Sequence, residues 1–379
     1  MQQQRRYDLL VVGGGLAGMS TAIRAAELGL NVRVFERGSG DHYLCNSRYT
    51  GGLFHIGMDD MASPPEAIEA RLARVTDGEG RPDLAASLAA NARRAIAWLR
   101  SHGVGLITVG PDGLRKHSLA PPGVRSTGLN WRWRSGDVML RTLNRRFEEL
   151  GGELDRGVSV EELSLVGGRV RGIVVSRGAA RERYEADVVT LCDGGFQADP
   201  DLLRRYITAS PDRVLMRNAQ TGRGSALRMA EVAGAKLVGM GSFYGHVQYR
   251  EALTDGRFWP YPVLDSLCTH GLLLSAEGER FCDESLGGVH ITNRIARLPD
   301  PLGCHVVFDE AILRDAPPLL PRFDRARLEA AFASHPHFVR AEGVDALAAR
   351  AGIDAAGLRA TIAAYNAAIE GGQADALGR

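Results

Sequence analysis

The chain has 379 residues, of which 45% are hydrophobic and 24% charged, and its formal net charge is +1. This length and balance describe a folded chain of about two domains with room for large cores. The near-zero charge excludes a whole-protein field that would draw nucleic acid or an anionic membrane surface. Five cysteines (Cys45, Cys192, Cys268, Cys282, Cys304) are odd in number and form no C-x-x-C pair, which fits reduced thiols and speaks against a disulfide framework or a zinc site.

The first apolar run is short, broken by glycines and without a small-residue cleavage site, so it reads as a strand and not a signal peptide. No later run approaches the roughly 20 apolar residues of a spanning helix, and a cytoplasmic location is expected. The run Tyr7–Val12 leads into Gly13-Gly14-Gly15-Leu16-Ala17-Gly18, followed by apolar residues at Leu16, Met19, Ile23, Ala26 and Leu30. Those spacings are helical. Val32–Glu36 reads as the next buried strand, closing a βαβ unit. In such a unit the glycines allow a tight turn, a close approach of backbone N–H groups to a pyrophosphate, and close helix packing, while an acidic residue ending the second strand accepts from a ribose diol. Gly13, Gly15, Leu16, Ala17, Gly18 and Glu36 are therefore candidate dinucleotide contacts. FAD and NAD share this fingerprint.

The next segments carry a resemblance. Arg37-Gly38-Ser39-Gly40 leads to Cys45-Asn46-Ser47-Arg48-Tyr49-Thr50-Gly51-Gly52-Leu53, and Ala186–Leu191 to Cys192-Asp193-Gly194-Gly195-Phe196. Ser135-Gly136-Asp137 opens a helix through Phe147, and Gly157-Val158-Ser159-Val160 begins a strand. Thr221–Ala226 forms a glycine turn before a helix, and Gly271–Glu284 reads as a hairpin ending in a carboxylate. Together these resemble the flavoproteins of the fumarate reductase and succinate dehydrogenase family, also called the FAD-dependent oxidoreductase 2 family, with the tricarballylate dehydrogenase-like branch nearest.

The resemblance implies an α/β fold: a Rossmann-like FAD-binding domain over residues 1–205, with an α+β substrate-capping domain inserted at 206–379. It implies noncovalent FAD, since no histidine precedes Gly51-Gly52, although His55 lies just beyond. Flavin contacts would then include Arg37, Asn46, Ser47, Thr50, Gly51 and Gly52, the backbone of Val158 or Val160, and Cys192, Asp193, Gly194 and Gly195. The implied reaction is hydride exchange between flavin N5 and a small carboxylate or ketone, as α,β-desaturation or its reverse, with a 3-ketosteroid dehydrogenase-like enzyme as the alternative.

His246 falls near a substrate-binding histidine of the family, with Tyr244 beside it. The family's proton-donating arginine corresponds to Gly288 here, so His290 and Arg294 become the candidate replacements. Asp265 and Cys268 stand at the positions of its proton relay. Resemblance also leads one to expect a return segment after residue 379 that completes the flavin site. Its absence implies a partner chain, a non-catalytic flavin-binding subunit or an incomplete chain.

Other groups read as ordinary structure. Trp131-Arg132-Trp133-Arg134 lacks a surrounding basic stripe and is expected to be a surface or channel loop. His335-Pro336-His337 reads as a loop, and Arg141, Arg145 and Arg146 as the solvated face of a helix.

Overall fold

A computed structural model of the chain describes residues 6–110, 116–122, 131–216, 218–255, 264–315, 330, 333 and 337–379. His335 and Pro336 lie outside the described residues. Described residues within Met1–Leu72, Arg81–Leu203 and Met216–Gly239 form one compact unit, and those within Ala73–Gly80, Arg204–Leu215 and Met240–Arg379 form a second.

In the first unit, strand β1 (Arg6–Val12) passes through the glycine turn into helix α1 (Leu16–Glu27) and strand β2 (Val32–Glu36). The polar loop expected after Glu36 contains a single helical turn, α2 (Asn46–Tyr49), and helix α3 spans Ser135–Glu149. Strands β3 (Glu153–Arg156), β4 (Ser159–Val166), β5 (Arg169–Arg177) and β6 (Ala180–Leu191) complete a six-stranded sheet of order β3-β2-β1-β6-β5-β4. β3, β2, β1 and β6 run parallel, whereas β6-β5-β4 is an antiparallel meander.

Both faces of β1 are covered, as a central parallel strand requires. Leu9 and Val11 join Met19, Ile23, Leu140, Leu143 and Phe147 in one core, while Tyr7, Leu10 and Val12 join Phe35, Val158, Ile173 and Val175 in the other. The helical spacing read from Met19 and Ile23, and from Leu140, Leu143 and Phe147, is thus the spacing of buried faces. Helix α4 (Ser225–Val232) belongs to this unit. Arg141 departs from its expected solvated role. Its guanidinium lies 4.5 Å from the Trp133 ring centroid and reaches His42 at 3.3 Å.

In the second unit, helix α5 (Asp265–His270) precedes β7 (Leu272–Leu274), which pairs antiparallel with β8 (His305–Val307). The hairpin read at Gly271–Glu284 is reduced to a bridge between Leu274 and Arg280, and β7 forms its ladder with β8. Helix α6 spans Gly288–Ala296 and helix α7 Ala355–Glu370. α7 stops well short of Asp375, since Gly371 and Gly372 follow it and Gly372 takes a positive φ of 62°.

Glu284 is fully buried beneath this end of the chain. Its Oε1 accepts from the Leu273 amide (2.9 Å) and Arg280 Nε (2.9 Å), and its Oε2 from Arg280 Nη2 (2.5 Å) and Arg379 Nη1 (3.3 Å). Arg280 also pairs with Asp375, and both arginines stack against the Tyr365 ring. Among the described residues no helix is long and apolar enough to cross a membrane.

Candidate functional site

The carboxyl ends of β2, β1 and β6 lie side by side, the edge at which parallel α/β sheets hold ligands. Gly13 has φ +100°, and a Cβ there would meet the Cys192 carbonyl oxygen at 2.6 Å. A Cβ on Gly18 would come within 1.9 Å of the Gly13 oxygen, so the start of α1 is pressed onto the turn. At Gly15 a Cβ would meet only the Ser47 hydroxyl, at 3.2 Å, and Ala17 is exposed. The turn is therefore closed on its core side and open at the helix start, where the helix dipole favours an anion.

Glu36, largely buried, reaches back across this turn. Its Oε2 accepts from the Gly14 amide at 2.9 Å and its Oε1 from the Gly38 amide at 2.7 Å. Burial pushes its carboxyl up from the ordinary range, against the two amide bonds that favour the charged form. Each carboxylate oxygen can take a second donor, so a ribose diol could still bind there. Tyr43 steadies the turn by donating to the Gly14 oxygen at 2.6 Å.

The second loop approaches α1 through Ser47, whose Oγ accepts from the Leu16 amide at 2.9 Å. Thr50 Oγ1 accepts from the Gly52 amide at 3.1 Å, and Gly52 has φ +83° with Leu119 and Ser135 packed against it. Gly51 is half-buried beside it. Val158 is buried and donates from its amide to the Glu36 carbonyl at 3.0 Å, while Val160 is half-buried one pleat further on. Cys192 donates to the Val12 carbonyl at 2.7 Å, and burial raises its thiol. Gly194 and Gly195 are exposed, with φ +92° at Gly194.

Three polar residues of the expected flavin set are engaged by protein. Arg37 donates to the Thr221 carbonyl at 2.5 Å, Asn46 Oδ1 accepts from the Ala219 amide at 2.9 Å, and Asp193 Oδ2 accepts from the Ala226 amide at 2.9 Å, near the start of α4. Burial pushes the Asp193 carboxyl up.

In the second unit the four candidate substrate residues fall on one loop and one helix. Tyr244 is 63% exposed, and its ring stands edge-on to His246 at 5.2 Å. His246 Nδ1 is 2.6 Å from Asp265 Oδ2. His290 and Arg294 lie one turn apart on α6, Arg294 Nε donating to His290 Nε2 at 3.4 Å and Nη2 reaching Asp77 Oδ2 at 3.4 Å. Burial, then the nearby Arg294 charge, lowers His290 below the usual imidazole range.

Asn293 was not marked by any motif, yet it ties loop to helix, accepting from the Phe243 amide at 2.9 Å and donating to the Phe243 carbonyl at 2.7 Å. Only its place one residue before Arg294 could have drawn attention to it.

A family model described as "FAD binding domain" matches residues 8–376. Among curated proteins, the chain is 23% identical over 387 residues to NADH:fumarate oxidoreductase of Klebsiella pneumoniae (strain 342), covering 99% of this chain and 39% of that protein. It is also 23% identical over 401 residues to vinyl phenol reductase of Lactiplantibacillus plantarum, covering 98% of this chain and 78% of the relative. The chain thus spans well under half of the first relative and over three quarters of the second. Among solved structures, 3-ketosteroid-Δ4-(5α)-dehydrogenase from Rhodococcus jostii RHA1 in complex with 4-androstene-3,17-dione matches with a TM-score of 0.68 at 19% identity, covering 100% of this chain and 80% of that one.

Proposed function

Because the chain belongs to the FAD binding domain family, we propose that it is a flavin-dependent oxidoreductase acting on a carbon–carbon bond beside a carboxylate or ketone, by reduction or desaturation. The observation that carries this reading is the turn Gly13–Gly18, closed behind by Cys192 and crossed by Glu36, yet open at Gly15 and Ala17. Bound FAD supplies a two-electron hydride carrier there.

The turn and the start of α1 would hold the pyrophosphate, Glu36 the ribose diol, and the backbone at Val158 and Val160 the adenine. Ser47, Thr50, Gly51, Gly52 and Cys192–Gly195 would line the flavin end. Arg37, Asn46 and Asp193 support this wall by fixing residues 219–226. Binding is noncovalent in this reading, and His55 is turned to its own loop, accepting from the Met58 amide at 3.2 Å. In this reading residues 1–205 serve as the flavin domain and 206–379 as the substrate cap, except that the described residues of 216–239 cluster with the first unit and those of 73–80 with the second.

His246 and Tyr244 would meet the substrate, with Arg294 supplying positive charge. Burial and the Arg294 charge disfavour the protonated form of His290, which accepts from Arg294 Nε. The supporting comparisons are a fumarate-named relative, a vinyl phenol-named relative and a steroid-bound fold neighbour, so the substrate class is an activated alkene or its saturated counterpart.

The test starts with the visible spectrum of the purified chain before and after adding FAD, beside the Glu36→Ala protein. Bound-flavin bands that weaken in the variant are expected, and a chain that ignores FAD would remove the proposal. Turnover is then assayed on fumarate and 4-vinylphenol with a reduced dye, and on 4-androstene-3,17-dione with an artificial acceptor.

A further inference from the structure

We propose that Asp265 is the positioning residue that fixes the His246 imidazole with its proton on Nδ1, presenting Nε2 to the substrate; this deepens the reading of His246 given above and rests on it. The two residues are separated by 19 positions and come from different elements, the loop before Val247 and helix α5. Nothing in their spacing announces the pair.

The carboxylate has little freedom. Asp265 is buried; its Oδ1 accepts from the Val247 amide at 2.8 Å and its Oδ2 faces His246 Nδ1 at 2.6 Å. A carboxylate only accepts, so the ring nitrogen facing it must carry the hydrogen. On its other side lies Gly288, the first residue of α6, where a Cβ would stand 2.0 Å from Oδ2. The carboxylate thus fills the volume that a side chain at 288 would occupy.

The imidazole is held from the loop side as well. Asn293 clamps Phe243 by its amide and carbonyl, and Gly245 leaves no room for a Cβ, which would meet the Phe243 ring at 2.6 Å and Thr292 at 3.0 Å. Here, among the described residues, Nδ1 has Asp265 and Nε2 has no hydrogen-bond partner. His290 and Arg294 are differently placed, because each is already committed to the other and Arg294 also to Asp77. His246 therefore has its tautomer set by a carboxylate and its far nitrogen left for something else.

The FAD-loaded protein, labelled with 15N-histidine, should show His246 as the Nδ1–H tautomer in long-range proton–nitrogen spectra, the signal being assigned by its loss in His246→Gln. In Asp265→Asn the amide carbonyl would take the Val247 N–H and the NH2 group would face the ring, driving the proton to Nε2. That variant should keep its flavin and lose about a hundredfold or more in kcat on whichever of fumarate, 4-vinylphenol or 4-androstene-3,17-dione the parent turns over best.

An Nε2–H tautomer in the parent, or an Nδ1–H tautomer retained in Asp265→Asn, would overturn the proposal. The parent spectrum needs only His246→Gln for its assignment, so the test survives if Asp265→Asn does not fold. A parent Nδ1–H signal with no turnover of any probe would leave the pair standing but overturn the substrate-facing reading, and with it the role assigned to Asp265.

Discussion

Two buried glutamates, one in each unit, are used in opposite ways. Glu36 accepts from two backbone amides and, among the described residues, from no arginine. Glu284 accepts four donors, three of them from Arg280 and Arg379. The first carboxylate is oriented but left with spare acceptor capacity; the second is saturated. A ligand-binding carboxylate has to remain under-coordinated by its own chain, and burial without a bonded cation is what raises Glu36. A carboxylate that joins distant segments gains nothing from spare lone pairs, and a buried charge lacking partners would be costly.

The sharpest way to break this contrast is Glu284→Gln. Arg379 would lose its carboxylate partner and Arg280 would keep only Asp375, and a loss of roughly 3–5 kcal/mol is expected, read as the shift in midpoint of chemical denaturation. A loss below about 1 kcal/mol, the range of an exposed pair, would show that the cluster is not the anchor described here. Gly18→Ala should come next. Its methyl group would collide with the Gly13 oxygen, costing about 1–3 kcal/mol and removing most bound flavin, measured as flavin absorbance per chain. Unchanged flavin content would mean the turn can relax and is not a rigid cradle.

Glu36→Gln addresses the other half of the comparison. FAD should bind about ten- to a hundredfold more weakly, the worth of hydrogen bonds to a charged group, by fluorescence titration, with a smaller loss of stability than in Glu284→Gln. A larger stability loss than in Glu284→Gln would reverse the assignment of roles. The smallest effect concerns His290. Its folded pKa is depressed, so the unfolded chain binds the extra proton, and the contribution present above the unfolded value of about 6.5 is lost as pH falls below it. The melting temperature of the parent should drop more steeply than that of His290→Gln between about pH 6.5 and 5, and parallel curves would discount the depressed value.

The same contrast explains what was legible in the sequence. The cradle is made of backbone and of residues close in the chain, so glycine spacing, the period of α1 and the acid ending β2 all registered in order. Strand β6 and helix α3 were readable from their apolar patterns. The second unit relies on side chains meeting across long separations, such as Arg294 with Asp77 at 217 positions and Arg379 with Glu284 at 95, and no local pattern encodes such pairs. Asp265 was noticed for its alignment but not for the histidine it holds. Likewise, β7 was read as half of a hairpin because its ladder partner, β8, lies beyond the segment in view.

The strand pairing of the first unit also bears on synthesis. β1 bonds to β6 in a register running from Arg6 with Glu185 to Val12 with Leu191, so the first strand made waits for the last of its sheet. At ribosomal rates that interval is on the order of ten seconds or more, during which β1, α1 and β2 have emerged but one side of β1 has no neighbour. An unpaired apolar strand edge is a template for association between chains. A nascent chain paused before residue 185 should therefore need a chaperone more than one extended far enough past residue 191 for β6 to have left the ribosome.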